Sequence, residues 1–151
     1  MLDFNDETQA APAYEDDFVV WLDAQAEFLQ DGRLELLDRD NLIDELTAMA
    51  NRHRDKVQSR MEVLLAHLLK CQFQPDHMTR SWQSTLLEQR HKIKRLIAHS
   101  PSLRHVVTEK MNYCYQYARR MAATETGLPL DHFPQQSPYS AEQMLDEDLL
   151  P

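Results

Sequence analysis

Apolar residues recur at steps of three and four along most of the chain, the spacing that gathers them on one side of a helix. Tyr14, Phe18, Trp21, Leu22, Phe28 and Leu29 share a face over about residues 14–31, with Glu15, Asp16, Asp17, Asp23 and Glu27 mostly off it. Leu42, Leu46, Met49, Val57, Leu64 and Leu68 form a second stripe over about residues 40–73, capped by Asp38 or Asp40. Its second half, VLLAHLLKCQF, is apolar nearly all round and belongs at the centre of the fold. The stripe thins over residues 50–56, so a kink would fall there. Trp82, Leu86, Ile93, Leu96 and Ile97 mark a third helix over about residues 81–99. Leu103, Val107, Met111, Cys114, Tyr117, Ala118 and Met121 mark a fourth.

The breaks agree with these stripes. Gly32 and Gly127 follow apolar runs, where a helix commonly ends in a left-handed residue. Pro75 separates helices two and three, and Ser100 with Pro101 is read as the cap and first residue of helix four. Residues 128–138 contain three prolines and should form an extended strap. Ser140 and Gln143 then make a capping box for a short fifth helix carrying Met144 and Leu145. The pattern predicts an all-α fold, a single-domain bundle of four main helices with that strap and fifth helix. It would occupy residues 14–151, behind a flexible N-terminal arm of residues 1–13.

Composition narrows the function classes. Two glycines in 151 residues argue against sandwiches and barrels, and no glycine-rich phosphate loop, GxSxG or kinase signature is present. No apolar run is long enough for a membrane helix, and the acidic start MLDFNDETQA predicts no secretory leader. Cys71 and Cys114 sit on apolar positions and read as core thiols of a reduced, cytoplasmic protein.

Charge is segregated. Residues 1–50 hold 14 acidic and 2 basic side chains, residues 51–120 hold 5 and 14, and residues 121–151 hold 6 and none. One reading is a basic face on helices three and four for phosphates, built from Arg80, Arg90, Lys92, Lys94, Arg95, Arg104, Arg119 and Arg120. The other, favoured by the net charge of −9, sets acidic helix one beside basic helices three and four. Nucleic acid is therefore not the favoured partner, and no membrane is expected.

Candidate chemistry is sparse. Seven histidines lack the spacing of a metal site, so no metal and no cofactor is expected. Acids at the start of helix two, Asp40 with Asp44 and Glu45, read as capping and solvated groups. His67, flanked by leucines, is expected to be buried, and Gln89 falls in the middle of its apolar stripe. His67, Gln25 or Arg60 would then have to satisfy the Gln89 amide. Helices two and three should form an antiparallel hairpin in which His67 meets the Gln89–Arg90 segment, a polar cluster extended by Gln74 and Trp82. Tyr113, Tyr115 and Tyr117 cannot all face one core. Tyr113 or Tyr115 is expected in an exposed patch that a second copy covers, giving a homodimer.

The ordered motifs YEDDFVVWLDAQAEFLQDG, LDRDNLIDEL, HLLKCQFQP, SWQSTLLEQR, SPSL, ETGLPLDHFP and SPYSAEQMLDEDLLP resemble the bacterial domain-of-unknown-function family 29. Cys71 stands where that family usually has tryptophan, and Ser137 where cysteine is common. The resemblance implies an all-α domain and brings no activity, substrate or catalytic residue. It marks His67, Lys70, Gln74, Pro75, Trp82, Gln89, Arg90, Pro138 and Tyr139 as family-like positions. The favoured function is a non-enzymatic interaction or assembly module, acting on an unknown protein partner or a second copy. The alternatives are polyanion binding through helices three and four, and a small-ligand or enzyme site around His67 and Gln89.

Overall fold

The computed structural model describes residues 13–151, so the arm expected over residues 1–13 lies outside them except for Ala13. Every regular element among the described residues is helical: α1 (Phe18–Gln30), α2 (Arg39–Phe73), α3 (Arg80–His99), α4 (Arg104–Thr126) and α5 (Ala141–Leu145), joined through short 3-10 turns. No helix among them is long and apolar enough to cross a membrane. The all-α class follows the spacing. The chain packs as two compact units, divided between Met49 and Ala50. That division falls inside α2, where residues 51–56 are all exposed. A helix persists there on its own backbone hydrogen bonds, but polar exposed side chains bury no apolar area.

In the first unit α1 starts at Phe18, later than the apolar spacing suggests. Asp17 is extended, and its carboxylate accepts the Val20 N–H at 3.1 Å, so it is the N-cap. Gly32 closes the helix at φ 72°. Its N–H donates to the Leu29 carbonyl at 3.2 Å, and that of Arg33 to the Phe28 carbonyl at 2.8 Å. This pairing satisfies two end carbonyls at once. Trp21, Gln25 and Phe28 are buried. The expected α1 stripe is only partly covered, because Phe18, Leu22 and Leu29 are exposed, as are Leu46 and Met49 from the α2 stripe.

The second unit is built around the rest of α2. Val57, Met61, Leu64, Leu65, Leu68 and Leu69 are all fully buried, in keeping with the all-round apolar pattern. Leu86 and Ile93 of α3, Val107, Cys114 and Ala118 of α4, and Met144 of α5 complete the same core. Both cysteines are free and buried. Burial pushes the Cys114 thiol up to about 12, as expected of a core residue and not of a nucleophile. Thr79 caps α3 through the Trp82 N–H at 3.2 Å. The Ser100 hydroxyl caps nothing. Pro101–Leu103 forms a 3-10 turn, and α4 begins only at Arg104.

After Gly127 the chain turns back along α4, and three α4 side chains donate to three consecutive strap carbonyls. Arg119 Nε reaches Phe133 O at 3.0 Å, Tyr115 Oη reaches Pro134 O at 2.7 Å, and Gln116 Nε2 reaches Gln135 O at 2.7 Å. Proline-rich backbone has few donors and cannot form a ladder of its own, so α4 satisfies its acceptors. Two expectations change with this. Tyr115 is fully buried and belongs to no exposed patch, whereas Tyr113 and Tyr117 are exposed. Arg119 is buried and holds the strap, so it is lost to any basic face. The Ser140–Gln143 capping box forms as the sequence predicts.

Candidate functional site

The structure divides the expected polar cluster into three places. His67 is half-buried, not buried, and bonds within its own helix, with Nδ1 2.9 Å from Val63 O. Lys70 Nζ lies 3.5 Å from His67 Nε2, 2.6 Å from Glu125 Oε2, and 4.9 Å from the centre of the Trp82 ring. A neutral imidazole with its proton on Nδ1 fits both contacts. Burial pushes the His67 pKa below its ordinary value, and the Lys70 charge adds to that. Gln89 pairs elsewhere: its Oε1 accepts from Arg60 Nη1 at 3.3 Å. Arg90 is 1 % exposed and donates from Nε to Met144 O at 2.9 Å. Gln74 is half-buried, and its N–H ends α2 on the Lys70 carbonyl at 2.9 Å.

His67 and Gln89 therefore do not meet. Arg60 facing Gln89 and Lys70 facing Trp82 set the antiparallel register. In that register the residue opposite His67 lies between Trp82 and Thr85. Gln89 is one to two turns further from the loop, about 6–10 Å at helical rise. Counting outward from Pro75 and Ser81 missed this, because it centres the hairpin near residue 78, whereas the two contacts centre it between residues 74 and 76, at the Pro75–His77 turn itself.

The expected basic face is also divided. Arg80, Lys94, Arg95 and Arg104 are exposed and Lys92 is half-buried. Lys94 pairs with Glu147 at 3.0 Å. Lys94 and Arg104 line a cleft of about 960 Å³ together with Glu142 and Asp146, so its charges are mixed. Lys92 and Arg95 line a different cleft, of about 690 Å³, with His53, Lys56 and Arg60 from α2. Sequence reasoning missed the α2 side of that cleft. The signal was present as the spacing of His53, Lys56 and Arg60, which recurs in Lys92, Arg95 and His99 with the histidine at the other end.

In the first unit a small polar lock sets the two helices. Trp21 Nε1 donates to Asp38 Oδ2 at 3.0 Å, and Gln25 Oε1 accepts the Asp38 N–H at 2.7 Å. Asn41 Nδ2 donates to Asp38 Oδ2 at 2.8 Å. The Asn41 side chain first, then the Trp21 indole, hold the Asp38 carboxyl below the usual range. Tyr14 donates its hydroxyl to Glu45 and packs edge-on against Phe18 and Trp21.

Outside this lock the unit covers little. Of its large apolar side chains, Val19, Leu29, Leu34, Ile43, Leu46 and Met49 are each more than half exposed. Val19, Leu22, Ala26 and Leu29 follow one line of α1 at steps of three and four, and Ile43, Leu46 and Met49 follow each other along α2. Residues 13–49 also carry 11 acidic and 2 basic side chains. The surface is thus apolar and strongly acidic at once.

No group of three His, Cys, Asp or Glu among the described residues could hold a metal ion. A family model described as Domain of unknown function DUF29 matches residues 13–150. No curated protein and no solved structure matches the chain.

Proposed function

Since the chain belongs to the DUF29 family of domains of unknown function, which lends it no activity, we propose from its surface that it is a non-enzymatic helical interaction module. Its working face would be the first unit, and its partner a basic amphipathic helix of another protein. The observation that carries this reading is the exposure of ten large apolar side chains among the described residues up to Met49, where only Trp21, Gln25 and Phe28 are buried. The longer second unit leaves six exposed. Apolar area left in water favours association, and a surplus of carboxylates selects partners of opposite charge. An amphipathic helix laid into such a surface uses anchors at helical spacing, which matches the rows on α1 and α2. The reading extends to a bacterial cytoplasm, supported by the motif resemblance and by two unpaired core thiols.

The test is titration of the full chain with a leucine–lysine amphipathic peptide of about 20 residues. A leucine–glutamate peptide of the same pattern serves as the comparison. Binding of the basic peptide alone, weakened about tenfold by Leu29→Gln with Leu46→Gln, supports the proposal. Equal binding of both peptides, or binding indifferent to those substitutions, overturns it. Light scattering that shows a dimer, converted to monomer by the same pair, gives the face to a second copy.

A further inference from the structure

The second unit contains a surface that this reading leaves unused. His53, Lys56 and Arg60 stand on α2 at i, i+3 and i+7, so they share one face. Lys92, Arg95 and His99 repeat the spacing on α3 with the histidine at the opposite end, and all six line the cleft of about 690 Å³. The register set by Arg60–Gln89 and Lys70–Trp82 puts the two rows level. Histidine faces histidine at one end, Lys56 faces Arg95 in the middle, and Arg60 lies near Lys92 at the other. Leu96, Ala98 and Leu103 supply the apolar lining, Ser100 adds a hydroxyl, and no carboxylate lines the cleft. Glu88 reaches Lys92 from one turn away. Lys56 and Arg95 have no carboxylate within ion-pair distance among the described residues. Arg60 Nε is buried without a hydrogen-bond partner among them.

Four formal positive charges face each other within about 6 Å of helix, only Lys92 of them has a carboxylate partner among the described residues, and the compact state bears the repulsion of the rest unless an anion joins them. C-terminal acids answer cations elsewhere in this unit, at Lys70, Lys94 and Arg119. This groove they leave open. We propose that it is a binding site for a compact oligophosphate, an anion carrying several phosphoryl groups at close spacing. Each phosphoryl oxygen accepts charge-assisted hydrogen bonds, and arginine offers a planar fork of donors for it.

Two features restrict the ligand to a short one without a base requirement. No Phe, Tyr or Trp lines the groove, and its two imidazoles lie together at one end, so there is no run of rings along it on which successive nucleobases could stack. The protein as a whole carries a net charge of −9, which repels a long polyanion outside a short cationic segment.

Calorimetric titration of the full chain with sodium tripolyphosphate at low ionic strength tests the proposal. The variant pair Lys56→Gln with Arg95→Gln is expected to weaken binding about tenfold or more, since both side chains are exposed and the helices do not depend on them. Lys56→Arg with Arg95→Lys should retain it. Arg80→Gln with Arg104→Gln, which removes the same charge outside the groove, should leave it within about twofold. Orthophosphate is expected to bind more weakly than tripolyphosphate. Absence of binding at millimolar tripolyphosphate overturns the site. So does equal loss in the two glutamine pairs, which would mean diffuse charge attraction. Tighter binding of a single-stranded oligonucleotide than of tripolyphosphate overturns the compact ligand.

Discussion

Arg90 of α3 donates from Nε to the main-chain carbonyl of Met144, 54 residues further along the chain, at 2.9 Å. Its guanidinium is 1 % exposed, and Nη2 has no partner among the described residues. Burial pushes its pKa down, and Asp146 and Glu147 pull it back. Truncating this side chain leaves both a cavity and an unanswered carbonyl. Arg90→Ala is therefore expected to lower the unfolding free energy in urea by about 2–4 kcal/mol. Arg90→Met keeps most of the volume and removes a buried charge, so it should cost less than half as much. Equal costs would show that the charge itself is what holds Met144.

Asp38 makes the first unit sensitive to acid. Its carboxyl is held below the usual range by Asn41 and Trp21, so the folded unit binds fewer protons than the unfolded chain. The stability it contributes is present above the unfolded value of about 3.9 and is lost as pH falls through the lower folded value. Trp21 emission, read in a Trp82→Phe background, is expected to shift to the red over that acid window. In Asp38→Asn the shift should shrink. An unchanged acid transition would place the sensitivity elsewhere.

His67 acts at higher pH. Burial lowers its pKa in the folded state, so the unfolded chain binds its proton first. Stability associated with His67 is present above the unfolded value of about 6.5 and is lost as pH falls from there through the folded value. The protein should be more stable to urea at pH 8 than at pH 5.5, and His67→Gln should reduce that difference. Nuclear magnetic resonance titration of the His67 ring gives an independent check, with a midpoint below that of a free histidine.

Gly127 ends α4 at φ 72°, and a Cβ built there meets nothing within 4 Å. Any cost of Gly127→Ala is then backbone strain alone, about 1–2 kcal/mol in thermal or urea unfolding. Gly127→Asn should cost less, because asparagine tolerates the left-handed region. A neutral alanine variant would mean that the helix end relaxes.

The ends marked by glycine or a capping box were legible because each is decided within a few residues, whereas the starts of α1 and α4 fall later than the sequence places them. Gly32, Gly127 and the Ser140–Gln143 box act where the sequence places them, and the apolar run of α2 lies in the core. Partners across space were not. The His67–Gln89 pairing failed because the hairpin folds about the turn at Pro75 and not midway between Pro75 and Ser81, which moves the residue opposite His67 by one to two turns, and no local pattern reports where a hairpin folds. The sequence offers Arg90 both to a basic face and to the interior cluster; the structure buries it, but its partner is neither His67 nor Gln89. Its acceptor lies on a five-residue helix far along the chain. Tyr115 looked free for the same reason: the strap carbonyl that takes its hydroxyl is contributed by residue 134. On α1 the spacing correctly found an apolar face, but spacing alone does not say whether anything in the same chain covers it.

The Arg90–Met144 bond also carries a consequence for the order in which the chain is made. Synthesis runs from the N-terminus, so α2 and α3 emerge well before α5, and Arg90 waits for an acceptor that arrives 54 residues later. Until Met144 is out, the leucine-rich stretch of α2 lacks part of its cover, and one guanidinium stands at a core position without its carbonyl. The shortest α-helix among the described residues is thus the one that closes the core, and a nascent chain halted before Met144 leaves that core open.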